Sequence, residues 1–406
     1  MQIDEYMFHC RNLALQNLAP SEKELQHGLE LHKDAFVFDA YGFMPLAGGK
    51  CPRLDQLIRE HAGRDEILLA YEEFMMNGGY ESDPALQKKL AEVWEYAGVD
   101  CVFQNSGEEG NSVTGLLKRL SFYTYITDLL PDLYERAVFP HQLPGIKERN
   151  HKALYMTTNG VPVPEHLVSP DEALSHIGVF AKLGVRMMHL TYNRRNLIGD
   201  GCAEKSNAGL SDFGRMVIEE MNRTKVIPDV AHSGLQTSYD AAKISRKPVV
   251  ASHTVAGKLS THYRSKSDEV IEEIKKSGGY VGICAYPAFL QNSLDLNTFL
   301  DHIEYVAKKF GTDHVAIGTD HGTCIKPWEP EEASLPPRRP IWEQYWQDRE
   351  KDLSCEGLTA EHMDMLAWTN WPLFTVGLVK RGFTDEEIRK IIGGNVLRVC
   401  QETMEE

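Results

Sequence analysis

"KVIPDVAHSG", residues 225–234, is the stretch on which the fold turns. An apolar run rich in β-branched residues, Val226 to Ala231, reads as a buried strand, and His232 follows it directly. The same grammar returns in "PVVASHTVAG" (248–257), where His253 closes the run Val249–Ser252, 21 residues after His232. Histidines at the ends of two successive buried strands point to one shared mouth.

Working outward, similar runs recur along the chain: "AFVFDA" (35–40), "GVDCVFQ" (98–104), "ALYMTT" (153–158), "VRMMHLTY" (185–192), "YVGICA" (280–285) and "HVAIGT" (314–319). With the first two they make eight expected strands. Amphipathic helices fall between them, such as "SPDEALSHIGVFAKLG" (169–184), with a Ser cap and first-turn Pro, and "LSDFGRMVIEEMNRTK" (210–225). Strands alternating with helices predict a parallel sheet covered by helices, and eight units predict an α/β fold closed as a (β/α)8 TIM barrel.

The barrel is expected over about 34–325, within a single domain spanning 1–406 that carries helical extensions at both ends. After the eighth strand comes a Pro-rich, aromatic loop, "CIKPWEPEEASLPPRRPIWEQYWQDRE" (324–350), and then a helical C-terminal extension whose last helix is opened by Thr384, Asp385 and Glu386.

Composition narrows the function. With 42% hydrophobic and 25% charged residues the chain can bury a large core. A net charge of −16 and no basic stripe exclude a general nucleic-acid binder. Asp4 and Glu5 stand where a signal peptide would be basic, and no segment is long and apolar enough to span a bilayer, so no membrane partner is expected. Eight scattered cysteines without a CxxC pair fit reduced thiols, and the expected location is cytoplasmic. Cys202 reads as an ordinary free thiol, and the glycines of "PLAGGK" and "IGGNV" lack the context of a phosphate loop.

In a barrel, the carboxyl ends of all strands meet at one face, so His232, His253 and Asp320, the last in "AIGTDHGT", converge. Two imidazoles and a carboxylate suit one divalent ion, Zn²⁺ first with Fe²⁺ or Mn²⁺ as alternatives, that keeps an open position for water.

The motifs "GLSDFGRMVIEEMNR", "VIPDVAHSG", "PVVASHT", "HYRSKSDEVI", "VAIGTDHGT" and "GFTDEEIRKIIGGNVLRV" resemble those of the membrane (renal) dipeptidase family, peptidase family M19 of the amidohydrolase superfamily, over about Asp34 to Val399. The resemblance implies that His232 and His253 are metal ligands. It makes Asp320 the acid that handles the nucleophilic water and the leaving-group proton. It also places Arg264 on the arginine that holds a substrate carboxylate or oxyanion. An arginine there suits bidentate carboxylate recognition, with a surface ion pair to Asp268 or Glu269 as the alternative.

The resemblance breaks at the second metal. Tyr41 and Phe43 of "FDAYGFMP" stand at the His-x-Asp ligand positions, Thr158 or Asn159 at the bridging glutamate, and Tyr192 at the substrate-binding histidine. One metal is therefore expected in place of two. Asp39, Glu108, Glu109, Glu165, His262 and His321 are candidates for a missing ligand or base, and His321 leads because it neighbours Asp320. Tyr41, Tyr192 and Asn159 are expected to contact substrate, with the phenol of Tyr192 also a candidate catalytic group.

The expected function is a metal-dependent hydrolase that cleaves an amide or related bond in a small carboxylate-bearing substrate. The alternatives are a lyase, isomerase or hydratase on the same barrel, or a non-catalytic descendant. The aromatic "PIWEQYW" segment makes a homodimer the expected assembly.

Overall fold

Period-two burial within each apolar run separates the two faces of the sheet. Phe38, Phe103, Tyr155, Met187, Ile227, Val250, Tyr280 and Ala316 share one buried cluster. Their neighbours Val37, Val102, Leu154, Met188, Val226, Val249, Val281 and Val315 belong to another. The computed structural model describes residues 2–107, 112–164, 169–337 and 355–404.

Among the described residues there are eleven strands: β1 (Phe38–Gly42), β2 (Leu46–Gly48), β3 (Cys101–Asn105), β4 (Tyr134–Arg136), β5 (Lys152–Thr158), β6 (Val185–His189), β7 (Ile227–Asp229), β8 (Ala251–Thr254), β9 (Val281–Ile283), β10 (Val315–Ile317) and β11 (Cys324–Lys326). One parallel sheet runs β1-β3-β5-β6-β7 with β4 added to β5, a second runs β10-β9-β8, and β11 pairs with β2. The fold is thus α/β with parallel strands.

Backbone bonds cross both seams between the large sheets. Val230 N donates to Val250 O at 2.8 Å and Val250 N to Pro228 O at 3.0 Å. On the other side Asp320 N donates to Tyr41 O at 2.9 Å.

The eight runs expected from the sequence correspond to β1, β3 and β5–β10, with shifted ends. The first strand starts at Phe38 because the Val37 amide is taken by the Asp100 carboxylate at 2.8 Å. The segment between β1 and β3 carries structure that the sequence reading did not resolve, the helices Leu54–Arg59, Arg64–Glu73 and Pro84–Ala97. Two expected helices form as Pro170–Lys182 and Asp212–Thr224, capped by Ser169 and Ser211.

Helices from both chain ends brace this core. The first two, Ile3–Leu18 and Glu22–Asp34, lie near the C-terminal helix Trp371–Lys380, and Gly28 allows the contact: a Cβ there would stand 2.6 Å from Val376 Cα. His32 is tied between the Thr375 hydroxyl at 2.8 Å and the Ala97 carbonyl at 3.0 Å. The last helix opens as expected on a Thr384 cap, then kinks through 390–394 before Asn395–Met404, which sets Val396, Val399, Cys400 and Met404 into the inner cluster.

One buried carboxylate joins three parts of the fold. Asp39 accepts from Thr319 N (2.9 Å), Thr319 Oγ1 (2.6 Å), Tyr41 N (3.3 Å), Trp368 Nε1 (3.2 Å) and Trp371 Nε1 (3.4 Å). Burial pushes its pKa up to about 7 against the pull of these donors. Asp39 is therefore a structural pin, with every named donor a protein group.

All eight cysteines are free. No described helix is long and apolar enough to cross a membrane. The "PIWEQYW" segment lies outside the described residues, as do Glu108, Glu109 and Glu165.

Candidate functional site

Strand periodicity builds the site. Met187 points into the inner cluster, so two residues on, at the carboxyl end of β6, His189 points the same way. Its register partner on β7 is Asp229, and Ser252 and His253 follow on β8. His232 stands three residues past β7, in the turn before the helix Leu235–Ile244.

His189, His232 and His253 are all buried, with one ring nitrogen from each within 4.8 Å of the other two. Their ring centroids are 5.0 Å (His189–His232), 5.3 Å (His189–His253) and 5.0 Å (His232–His253) apart. The Nε2 atoms of His232 and His253 face each other at 3.0 Å.

Each Nδ1 has a partner of its own. That of His189 lies 3.1 Å from Asn159 Oδ1, that of His232 2.8 Å from Asn193 Oδ1, and that of His253 2.8 Å from Ser252 Oγ. Ser252 gives its only proton to Asp229 Oδ2 in a short hydrogen bond, so the His253 Nδ1–H must donate to Ser252 Oγ. The oxygen acceptor at the His232 Nδ1 sets the same tautomer there, which leaves Nε2 as a bare lone pair on His232 and His253, while the His189 Nε2 faces the Asp229 carboxylate.

Asp229 anchors the cluster. Oδ1 accepts from Ala231 N at 2.9 Å and Ser252 N at 3.0 Å, and Oδ2 lies 2.8 Å from His189 Nε2, an atom that makes no well-aligned hydrogen bond. Burial alone would raise the Asp229 pKa, but His189 and Ser252 hold it below the usual carboxylate value. Burial, reinforced by the Arg264 charge, pushes His232 and His253 well below the ordinary histidine value, so both stay neutral at pH 7.

Two tyrosines cover these histidines. Tyr41 stacks on His253 with centroids 3.9 Å apart, and Tyr192 on His232 at 4.1 Å. The Tyr41 hydroxyl donates to Asn159 Oδ1 at 2.5 Å, so Asn159 joins that phenol to His189.

Asp320 lies at the edge of this group, its Oδ2 4.0 Å from His253 Nε2. Burial lifts its pKa to about 6, with Arg264 and His189 pulling the other way. Its backbone is left-handed, φ 56°, a conformation that Asp tolerates better than most residues.

Arg264 is buried, 3% exposed, so the surface ion pair with Asp268 or Glu269 does not form. Its Nη2 donates to the His253 carbonyl at 3.0 Å, its guanidinium lies over Phe289, and Asp268 pairs with Lys309 and Tyr305 instead. His262 packs on Phe289, and its Nδ1 accepts from Arg264 N at 3.2 Å. His321 has a buried Nε2 without a hydrogen bond, and burial pushes its pKa down to about 4. Neither histidine belongs to the buried cluster.

A cavity of about 1070 Å³ opens onto the site. Tyr41, Asn159, Tyr192, His232 and Asp320 line one part, while Asp65, Glu66 and Glu72 of the helix Arg64–Glu73 and Lys118 and Arg119 of the helix Val113–Leu129 line another. Arg264 is not among the lining residues. Cys202 lies nearby, its thiol 3.3 Å from Asn193 Oδ1.

The structure therefore brings His232, His253, Asp320, Tyr41, Tyr192 and Asn159 together, and it adds His189 and Asp229, which the sequence reading passed over. A signal for His189 was present. Counting by twos from Met187 selects it as inward-facing, whereas treating the strand as continuous to 192 drew attention to Tyr192.

The model of the membrane dipeptidase family, peptidase family M19, matches residues 85–338. The chain belongs to this family. Among curated relatives, dipeptidase verJ of Clonostachys rogersoniana is 29% identical over 231 residues, 55% of this chain and 50% of that protein. Dipeptidase tcpJ of Claviceps purpurea is 26% identical over 233 residues, 56% and 47%. The chain thus spans about half the length of the curated relatives it matches. Among solved structures, an amidohydrolase from Pseudomonas aeruginosa superposes with a TM-score of 0.69 at 24% identity, covering 93% of this chain and 99% of that one. The probable dipeptidase PvdM of the same organism gives 0.67 at 20% identity, covering 95% and 99%. At these identities the likeness is one of fold.

A solved M19 dipeptidase of similar fold is described as a metallopeptidase, so the family implies a divalent metal. The donor set of this M19 chain fits one. Two bare lone pairs facing each other at 3.0 Å repel unless a cation or proton lies between them. Tetrahedral zinc with bonds near 2.05 Å sets its nitrogens roughly 3.3 Å apart, a few tenths of an ångström from what is found.

Proposed function

We propose that this M19 chain is a metal-dependent hydrolase that cleaves an amide or related bond in a small carboxylate-bearing substrate, using one metal ion in place of two. The observation that carries this reading is the cavity whose lining runs through Asn159, Tyr192, His232 and Asp320, beside a buried group of three imidazoles. We read the two parallel sheets as one closed (β/α)8 barrel with helical extensions, supported by the bonds across both seams and by an inner cluster drawn from both sheets.

His232 and His253 would hold the cation, Zn²⁺ in this reading, which would supply Lewis acidity and make water a better nucleophile near neutral pH. The chain's residues do the rest. Asp320, at the edge of the histidine group, accepts the proton of the attacking water and returns it to the leaving amine. Tyr41 and Tyr192 fix the planes of His253 and His232 and wall the reacting centre on one side. Arg264 acts from behind His253, adding positive potential, and Lys118 on the cavity wall is the exposed cation that meets a substrate carboxylate.

A panel of dipeptides and N-acyl amino acids tests the reading. Metal-replete protein should release a free amino acid from at least one of them, and Asp320→Asn should slow that release by at least about 100-fold. Turnover only of hydroxy or keto acids would favour a lyase or hydratase instead.

A further inference from the structure

We infer that His189 is a metal ligand, so that His189, His232 and His253 form a three-histidine, single-ion site that replaces the two-metal arrangement of the family. The inference deepens the proposed function and rests on its premise that the chain binds a metal.

Three observations carry it. First, the three imidazoles converge, one nitrogen of each within 4.8 Å of the others, and all three side chains are buried. The His232 and His253 lone pairs that face each other at 3.0 Å are relieved by a cation between them, and His189 offers a third nitrogen beside that pair.

Second, each ring is held by a separate oxygen acceptor at Nδ1: Asn159 for His189, Asn193 for His232, and Ser252, backed by Asp229, for His253. Ligating histidines are ordinarily oriented this way, by an acceptor on the ring nitrogen that does not bind the metal. The three acceptors come from separate parts of the chain, Asn159 after β5, Asn193 after β6 and Ser252 on β8, so packing of one segment does not account for all three.

Third, the ground beside His253 is occupied. Tyr41, at a position where the family resemblance leads one to expect a ligand, lies against the His253 ring at 3.9 Å, and its hydroxyl is engaged by Asn159. Asn159, one of the two residues that the resemblance sets at the bridging-glutamate position, is also the acceptor that orients His189.

The test uses the full chain. It is purified, stripped with chelator and reloaded with Zn²⁺ or Co²⁺, then studied by elemental analysis, X-ray absorption at the metal edge and titration of metal affinity. The expected result is one equivalent of metal, three imidazoles in the absorption spectrum, and loss of at least about 100-fold in affinity in His189→Ala, beyond the losses typical of outer partners. Because a buried substitution can disturb folding, the imidazole count on the unsubstituted protein stands as an independent measurement. Two or fewer imidazoles, two equivalents of metal, or undiminished affinity in a folded His189→Ala would overturn the assignment. The outcomes separate from those of the hydrolase assay: a three-imidazole protein that cleaves no amide overturns the reaction and leaves the site, while an active hydrolase with two imidazoles does the reverse.

Discussion

Tyr41 lies flat on His253, the ring centroids 3.9 Å apart and the planes 15° from parallel, while its hydroxyl reaches Asn159 Oδ1. One side chain therefore both covers a histidine of the cluster and donates to the residue that orients another, His189.

Tyr41→Phe separates these roles. The stack survives, and Asn159 Oδ1 keeps the His189 Nδ1–H as its remaining donor. The expected loss is about 1 kcal/mol of stability, seen as a lower urea midpoint, with metal content still one equivalent.

Ser252→Ala breaks the link between Asp229 and His253 without touching an imidazole. Metal affinity, measured by chelator competition, should fall by about 10- to 100-fold, as it does when outer partners of ligating histidines are removed. Undiminished affinity would show that Ser252 only fills space.

Asp320→Asn distinguishes proton transfer from ligation. The carboxylate sits 4.0 Å from His253 Nε2, at the margin of the three-imidazole group. Retained metal with kcat reduced roughly 10²- to 10⁴-fold is expected for a general acid–base, whereas loss of the metal would make Asp320 a ligand.

His32 predicts an acid-sensitive brace. Its Nε2–H donates to the Ala97 carbonyl and its Nδ1 accepts from Thr375, a neutral tautomer, and burial pushes its pKa from 6.5 down to about 4. The unfolded chain takes up the proton first as pH falls, so this stability is complete above pH 6.5 and is lost progressively as pH falls through about 4. The full effect is on the order of 3 kcal/mol. His32→Gln should flatten this part of the stability profile; an unchanged slope would place the acid sensitivity elsewhere.

Asp39→Ala removes the acceptor for Thr319 and for two indoles, all buried. Each orphaned donor costs about 1 kcal/mol or more, so a loss of about 3 kcal/mol is expected from chemical denaturation.

Much of the scaffold was legible because buried parallel strands are written as continuous apolar runs. The eight that form the two large sheets stand out for that reason. The helices between β1 and β3 were not, since their charged faces and short lengths carry no strong period, yet one of them, Arg64–Glu73, supplies part of the far wall of the cavity.

At the site, His232 and His253 were legible because they follow apolar runs directly. His189 was harder, because "MMHLTY" offers a histidine inside a strand where a buried, hydrogen-bonded residue is the ordinary reading. Asp229 hid in the same way inside "VIPDVA". The burial of Arg264 could not be seen in "HYRSKSD", a polar stretch whose fold turns that side chain inward over Phe289.

The indoles that grip Asp39 have a use beyond holding the chain ends to the sheets. Trp368 and Trp371 both touch a carboxylate that also binds the backbone of Tyr41, the residue resting on His253. A shift of that phenol, or a new charge beneath it, reaches the two chromophores through a single buried group. Their emission therefore offers a built-in optical signal for events at the pocket, with no attached dye.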